Sequence, residues 1–315
     1  VDETSDTEGD VTFTIDFTDD AGNAGTQVSS VTDDSSVEID FDDPTIPTVS
    51  LSSNNTTDGE HVTDGNRVTL TMDFDDDLTS AHTVSFFSGG NAVSGGLTFT
   101  ETSNSPDTWT ASYLVDDASD TEGNVTFTID FTDDAGNVGT QVTSVTDGSS
   151  VEVDFVVPTI TTIGLTSNNA TDNEHGITND VITLTMDFDD DLASAPTVSF
   201  RSGSVPVQDV TITYAETVPA NNVWTAVYTV DGSDFEGDVD FTLTYTDDAG
   251  NNGTTLEKDD LTGGATTTVE IDKVAPILTS VSIASNNALT DHAVAGNTVT
   301  LSFTSSDDLS AAPTV

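Results

Sequence analysis

The residue that could do chemistry in this chain is aspartate, and it arrives in runs. Asp75, Asp76 and Asp77, between Phe74 and Leu78, return as Asp189, Asp190 and Asp191 between Phe188 and Leu192, and in weaker form as Asp307 and Asp308 before Leu309. A second run, Asp-Asp-Ala-Gly-Asn, stands at 19–23, at 133–137 (Asp133, Asp134, Asn137) and at 247–251 (Asp247, Asp248, Asn251). A third pattern precedes each of three prolines: Glu38, Asp40, Asp42 and Asp43 before Pro44, Glu152 and Asp154 before Pro158, Glu270 and Asp272 before Pro276. Carboxylates with an amide oxygen make an all-oxygen donor set, which suits a hard cation. Calcium takes about six to eight oxygens at roughly 2.3–2.6 Å in loose geometry, so it fits loops better than magnesium with its strict octahedron. The chain has no cysteine and only four histidines, not clustered, so zinc and other nitrogen- or sulfur-seeking metals do not fit. Paired carboxylates such as Asp76 and Asp77 could suggest glycoside hydrolysis, but that chemistry needs one pair in one cleft with separated pKa values. Acidic loops that recur in successive copies describe a repeated structural unit instead of an enzyme.

The recurrence has a fixed period. Thr-Glu-Gly-Asp-Val-Thr-Phe-Thr-Ile-Asp-Phe begins at Thr7, and close copies of it place Glu8, Glu122 and Glu236 each 114 residues apart. Pro44, Pro158 and Pro276 mark the seams, where proline stops ladder pairing and stiffens the connection. Two complete units are expected at 44–157 and 158–275, with a C-terminal part-unit at 1–43 and an N-terminal part-unit at 276–315. The ends therefore read as cuts through a longer chain.

Lys and Arg number 4 against 57 Asp and Glu, a formal net charge of −53. That charge repels nucleic-acid phosphates and anionic lipid surfaces. It also opposes compaction unless salt or bound cations screen it. Acidic composition alone would permit disorder, but the hydrophobic pattern argues otherwise. In Val11–Phe17, Val, Phe, Ile and Phe alternate with Thr and Asp, the period-2 pattern of a half-buried strand, and 68–74 and 182–188 repeat it. No stretch approaches the roughly 20 apolar residues of a membrane helix. Strand-like runs in the first complete unit fall near 46–52, 67–75, 83–87, 96–101, 108–114, 124–132, 138–145 and 150–155. Seven or eight short strands separated by Gly, Asn and Asp turns predict an all-β chain of antiparallel β-sandwiches. Trp109 and Trp224 are expected in the cores, and the four histidines in loops.

A strand ending in Asp-x-Ala-Gly-Asn, followed by a last strand running through Val-x-Val-Asp into the seam proline, resembles the bacterial Ig-like repeats of large surface adhesins of the RTX and biofilm type. The resemblance covers the whole chain and departs from the commonest pattern in an extra Asp-Gly-Ser-Ser or Thr-Gly-Gly turn before the seam. It implies tandem immunoglobulin-like sandwiches in an elongated array outside the cell, with calcium at the seams stiffening the array. In such a sandwich the chain enters at one pole, to which the loops after the second and sixth main strands return. The three acidic patterns would then meet there, the competing reading being solvated loop surface. At the opposite pole Asp116, Asp117, Asp120 and Glu122, with the Ser-Asn-Asn turns at Asn54, Asn55, Asn168 and Asn169, form a weaker candidate site, where a solvated turn is the favoured reading.

The function expected is a non-enzymatic spacer of an extracellular adhesin, partnered by neighbouring repeats of its own chain. The alternative is a subunit of an extracellular filament or surface layer, its part-units completed by strands from other copies. The divergent stretches 89–96 and 202–209 are where an individual repeat would carry specificity for a glycan or host protein.

Overall fold

The computed structural model describes residues 1–76, 78, 82–104, 107–207, 211–218, 222–258 and 268–315. Asp77 lies outside the described residues, as do Gln208 and Asp209 of the second divergent stretch. Two compact units result, Val1–Val156 with Asp248–Asn251, and Val157–Asp247 with Asn252–Val315.

The first unit holds an immunoglobulin-like sandwich. One sheet has the order Thr48–Ser53, Arg67–Phe74, Asp107–Leu114, Thr98–Asn104, all antiparallel. The facing sheet has the order His61–Val62, Glu152–Val153, Gly123–Asp130, Thr83–Ser88, Asn91–Ala92. Its pairing is antiparallel except where Glu152–Val153 runs parallel to His61–Val62. Along Arg67–Phe74 half-buried and buried residues alternate without a break, so Val68, Leu70, Met72 and Phe74 all face inward. They meet Val84, Phe86, Phe127 and Ile129 of the other sheet in one core. Across that core the Phe86 and Tyr113 rings lie 5.0 Å apart, close enough for a favourable tilted contact.

The second unit repeats the scheme. Ile160–Ser167, Val181–Phe188, Val223–Thr229 and Thr213–Val218 form one sheet, facing another built on His175–Gly176, Glu270–Ile271, Gly237–Thr244, Thr197–Ser202 and Val205–Pro206. Leu184, Met186, Phe200, Phe241 and Leu243 lie in its core. Trp109 and Trp224 are half-buried and pack against the edge of each core, not at its centre.

Two expected strands take another form. Residues 138–145 carry only isolated bridges, Thr132 to Val138 and Ile129 to Val142. From there the chain crosses to the other sheet, where Thr146 N donates to Val49 O at 2.9 Å and Leu51 N donates to Ser149 Oγ at 2.8 Å. The extra Asp-Gly-Ser-Ser turn is thus a brace on the edge strand. Val11–Phe17 has only single bridges, and Phe17 is 53% exposed. The identical sequence at 125–131 lies largely in a strand, because Thr83–Ser88 pairs with it.

Candidate metal centre

The pole at Pro44 is assembled from three segments of the first unit. The linker is latched first: Thr45 N and Thr45 Oγ1 donate to the two carboxylate oxygens of Asp75 at 2.7 and 2.6 Å, and Asp75 N donates to Thr45 O at 3.2 Å. Burial alone would raise the Asp75 carboxyl pKa, but the bonds from Thr45 outweigh it and hold the group below the usual carboxylate range. Asp75 is therefore committed to positioning, a role its run of aspartates did not foretell. The second unit builds the same latch, with Thr159 N and Oγ1 on Asp189 at 2.6 and 2.7 Å.

Past the latch, carboxylate oxygens of Asp40, Asp76 and Asp133 lie within 4.8 Å of one another. Asp133 is 3% exposed. Its Oδ1 accepts Gly136 N at 2.6 Å and Asn137 N at 2.8 Å, and Asn137 Nδ2 donates to Asp133 Oδ2 at 2.9 Å and to Asp40 Oδ2 at 3.2 Å. Gly136 makes the turn possible at φ +104°, and Gly22 and Gly250 do the same in the sister motifs. Asn137 does not take a positive φ; its side chain ties turn to linker. Three carboxylates from linker, second-strand loop and sixth-strand loop thus converge on one point, with one half-buried amide beside them. Like charges so placed raise each other's energy, and a hard cation reverses the sign.

The remaining candidates are placed as follows. Glu38 lies in the short strand Glu38–Ile39, exposed, and Asp42, Asp43 and Asp134 are exposed outside the cluster. Asp154, the counterpart of Asp40, is half-buried and accepts Val156 N at 2.8 Å, and Asn251 Nδ2 donates to its carbonyl at 3.2 Å. Burial pushes its carboxyl pKa up, with Glu122 adding to the effect. Carboxylate oxygens of Asp154 and Asp248 come within 4.8 Å, while Glu152 is exposed in its strand. In the second unit Asp247 is fully buried, Asp190 Oδ1 accepts Asp191 N at 2.8 Å, and Asp191 is exposed. Glu270 is exposed in its strand and Asp272 Oδ1 accepts Val274 N at 2.9 Å. Asp307 and Asp308 are exposed and belong to no cluster among the described residues.

Sequence reading missed a histidine site. His61 Nδ1 lies 3.3 Å from Asp58 Oδ2 and 3.3 Å from Asp248 Oδ2, while Thr63 Oγ1 donates to Asn251 Oδ1 at 2.6 Å. The run Asp58 to His61 carried the signal; the partner Asp248, far along the chain, did not. His82 has surroundings that the sequence did not show. It lies outside any strand, as expected, but is half-buried and packs between Trp109, at 4.4 Å between ring centroids, and Phe99, at 5.6 Å, whereas His61 and His175 open the short strands His61–Val62 and His175–Gly176 instead of lying in loops.

In the second unit a cavity of about 310 Å³ is lined by Ser194, Thr197, Tyr245, Thr246, Asn252 and Thr255 among others. Its lining has hydroxyls and an amide but no carboxylate pair.

No protein-family model matches the chain, and no curated protein matches it. Among the solved structures similar to it are titin fragments. A three-Ig fragment of titin in an E-to-A mutated variant is 11% identical over 83% of this chain and 76% of its own, with a TM-score of 0.37. An I-band fragment of titin is also 11% identical, covering 79% and 81%, at 0.35, and a titin Ig tandem is 15% identical, covering 73% and 97%, at 0.24. The all-β, immunoglobulin-like architecture rests on the strand order and cores described above.

Proposed function

We propose that this chain is a non-enzymatic spacer of a large extracellular bacterial adhesin, serving cell adhesion or biofilm formation, in which calcium fastens each linker to the repeat that follows it. The observation that carries the reading is the convergence of Asp40, Asp76 and Asp133, bridged by Asn137. A linker, a second-strand loop and a sixth-strand loop contribute one carboxylate each, so an ion bound there ties three separate segments that backbone bonds alone leave loosely joined. Recurrence supports a structural role over a catalytic one, because a repeated acidic loop is what a repeated fastening needs. The resemblance to bacterial Ig-like adhesin repeats supports the extracellular setting. Extracellular calcium modules work at about 10⁻⁴–10⁻³ M, so occupancy would follow the calcium of the surrounding fluid.

The test is small-angle scattering and calcium titration of the whole chain, with and without chelator. The reading expects calcium to enlarge and sharpen the maximum dimension, and Asp40→Asn with Asp133→Asn to abolish the change. An unchanged maximum dimension across chelation overturns the fastening role.

A further inference from the structure

The other end of each sandwich is closed by a loop, Asp116–Glu122 in the first unit and Asp231–Glu236 in the second. Both loops are folded by one aspartate: Asp120 Oδ2 accepts Asp116 N at 3.0 Å, and Asp234 Oδ2 accepts Asp231 N at 2.9 Å. In both, the other carboxylate oxygen is buried without a hydrogen-bond partner, and so is the hydroxyl of a tyrosine beneath, Tyr113 or Tyr228. Tyr113 is 0% exposed and Tyr228 1%. Burial, and after it the charge of Asp120, pushes the Tyr113 pKa up; Asp234 acts in the same way on Tyr228. Buried polar atoms are partnered in roughly nine cases in ten, and the same two orphans recur in both units.

The second unit holds a cation of its own chain against the loop carbonyls, and not against the two orphans. Lys273 Nζ donates to the carbonyls of Gly232, at 3.2 Å, and of Asp234, and Lys273 N donates to Glu236 Oε1 at 3.3 Å. Sheet register identifies the counterpart in the first unit. Gly237 pairs with Ile271 and Gly123 with Val153, so two residues further on Lys273 corresponds to Phe155. Phe155 turns to the hydrophobic core. The one lysine or arginine in 1–156, Arg67, donates to Ser112 Oγ at 3.1 Å. The first unit thus keeps the aspartate and the tyrosine, lacks the ammonium, and adds acid: oxygens of Asp64, Asp116 and Asp117 lie within 4.8 Å of one another.

We propose that the Asp116–Glu122 loop binds a hard, calcium-sized divalent cation at the place where the second unit keeps the Lys273 ammonium. An ammonium and a hard cation both seek a ring of carbonyl and carboxylate oxygens, and one copy has tethered the charge that the other takes from solution. No residue of this site belongs to the centre at Asp40, so the two stand or fall separately.

Amide chemical shifts of the full chain, titrated with CaCl₂ to about 20 mM, read the two sites independently. Amides of 116–122 shift in the wild type and in Asp40→Asn but not in Asp120→Asn. Amides of 231–236 shift only after Lys273→Ala, a gain of a site that holds the proposal to account even if Asp120→Asn misfolds. Three outcomes would each overturn it: amides of 116–122 that stay still, amides of 231–236 that stay still in Lys273→Ala, or equal shifts from NaCl at matched ionic strength.

Discussion

At the scale of single residues, the histidines show how sharply surroundings decide chemistry. His82 sits among Phe74, Phe99 and Trp109, and burial lowers its pKa, only partly opposed by Asp107. For a histidine depressed in the folded state, the unfolded chain binds the proton first, so stability is lost as pH falls through the ordinary value of about 6.5. His61 works in the opposite sense. Burial lowers its pKa, but Asp248 and Asp58 raise it further, so its contribution is present below about 6.5 and fades as pH climbs through the raised value. Wild-type stability mixes the two. The prediction is therefore a difference: His82→Phe, compared with wild type by urea unfolding between pH 7 and pH 5, gains relative stability as pH falls. A constant difference across that range would remove the assigned burial effect. Sequence could not distinguish these histidines, since the rings around His82 come from three strands. The aspartates were more legible, because Asp40, Asp76 and Asp133 lie where repeat and topology together put them. Asp75 was not, since nothing in a run of three aspartates says which one Thr45 will hold.

At the scale of elements, the same seven residues, Val-Thr-Phe-Thr-Ile-Asp-Phe, carry only bridges at 11–17 and lie largely in a strand at 125–131. Alternation names which side chains a strand would bury, but a ladder needs a partner, and only the second copy has Thr83–Ser88 beside it. The same limit explains 138–145: a hydrophobic alternation was visible, but its path between sheets is set by Thr146 and Ser149 bonding the edge strand at Val49 and Leu51. Fold class and inward faces could be read from pattern; pairing could not. The latch of Thr45 on Asp75 belongs to this scale, since it joins a linker to a strand end. Thr45→Val removes the hydroxyl donor and leaves the backbone bond. Its cost is about 1 kcal/mol, the typical net worth of such a bond at an exposed site, and Thr159→Val costs the same because Asp189 repeats the geometry. Chemical denaturation of both single variants checks this. If one is neutral and the other costly, the two latches are not equivalent.

At the scale of the whole molecule, a formal charge of −53 spread over 315 residues makes stability a property of the solution as much as of the chain. Two contributions can be separated by experiment. General screening shortens the reach of repulsion from about 30 Å at 0.01 M salt to about 3 Å at 1 M, so the melting temperature rises with NaCl whichever carboxylates are present. Site binding adds to this only where oxygens converge. On the proposed calcium reading, with a dissociation constant of about 10⁻⁴–10⁻³ M, 10 mM calcium is expected to stabilise the folded state by about 1.4–2.7 kcal/mol per site. At constant high ionic strength, where screening is already complete, calcium therefore continues to raise the melting temperature while sodium does not. Asp133→Asn removes part of that increment but leaves the NaCl dependence intact, because it deletes one charge of many but one ligand of few. If calcium and sodium at equal ionic strength move the melting temperature alike, the acidic runs act as a diffuse surface charge and the convergence of Asp40, Asp76 and Asp133 binds nothing.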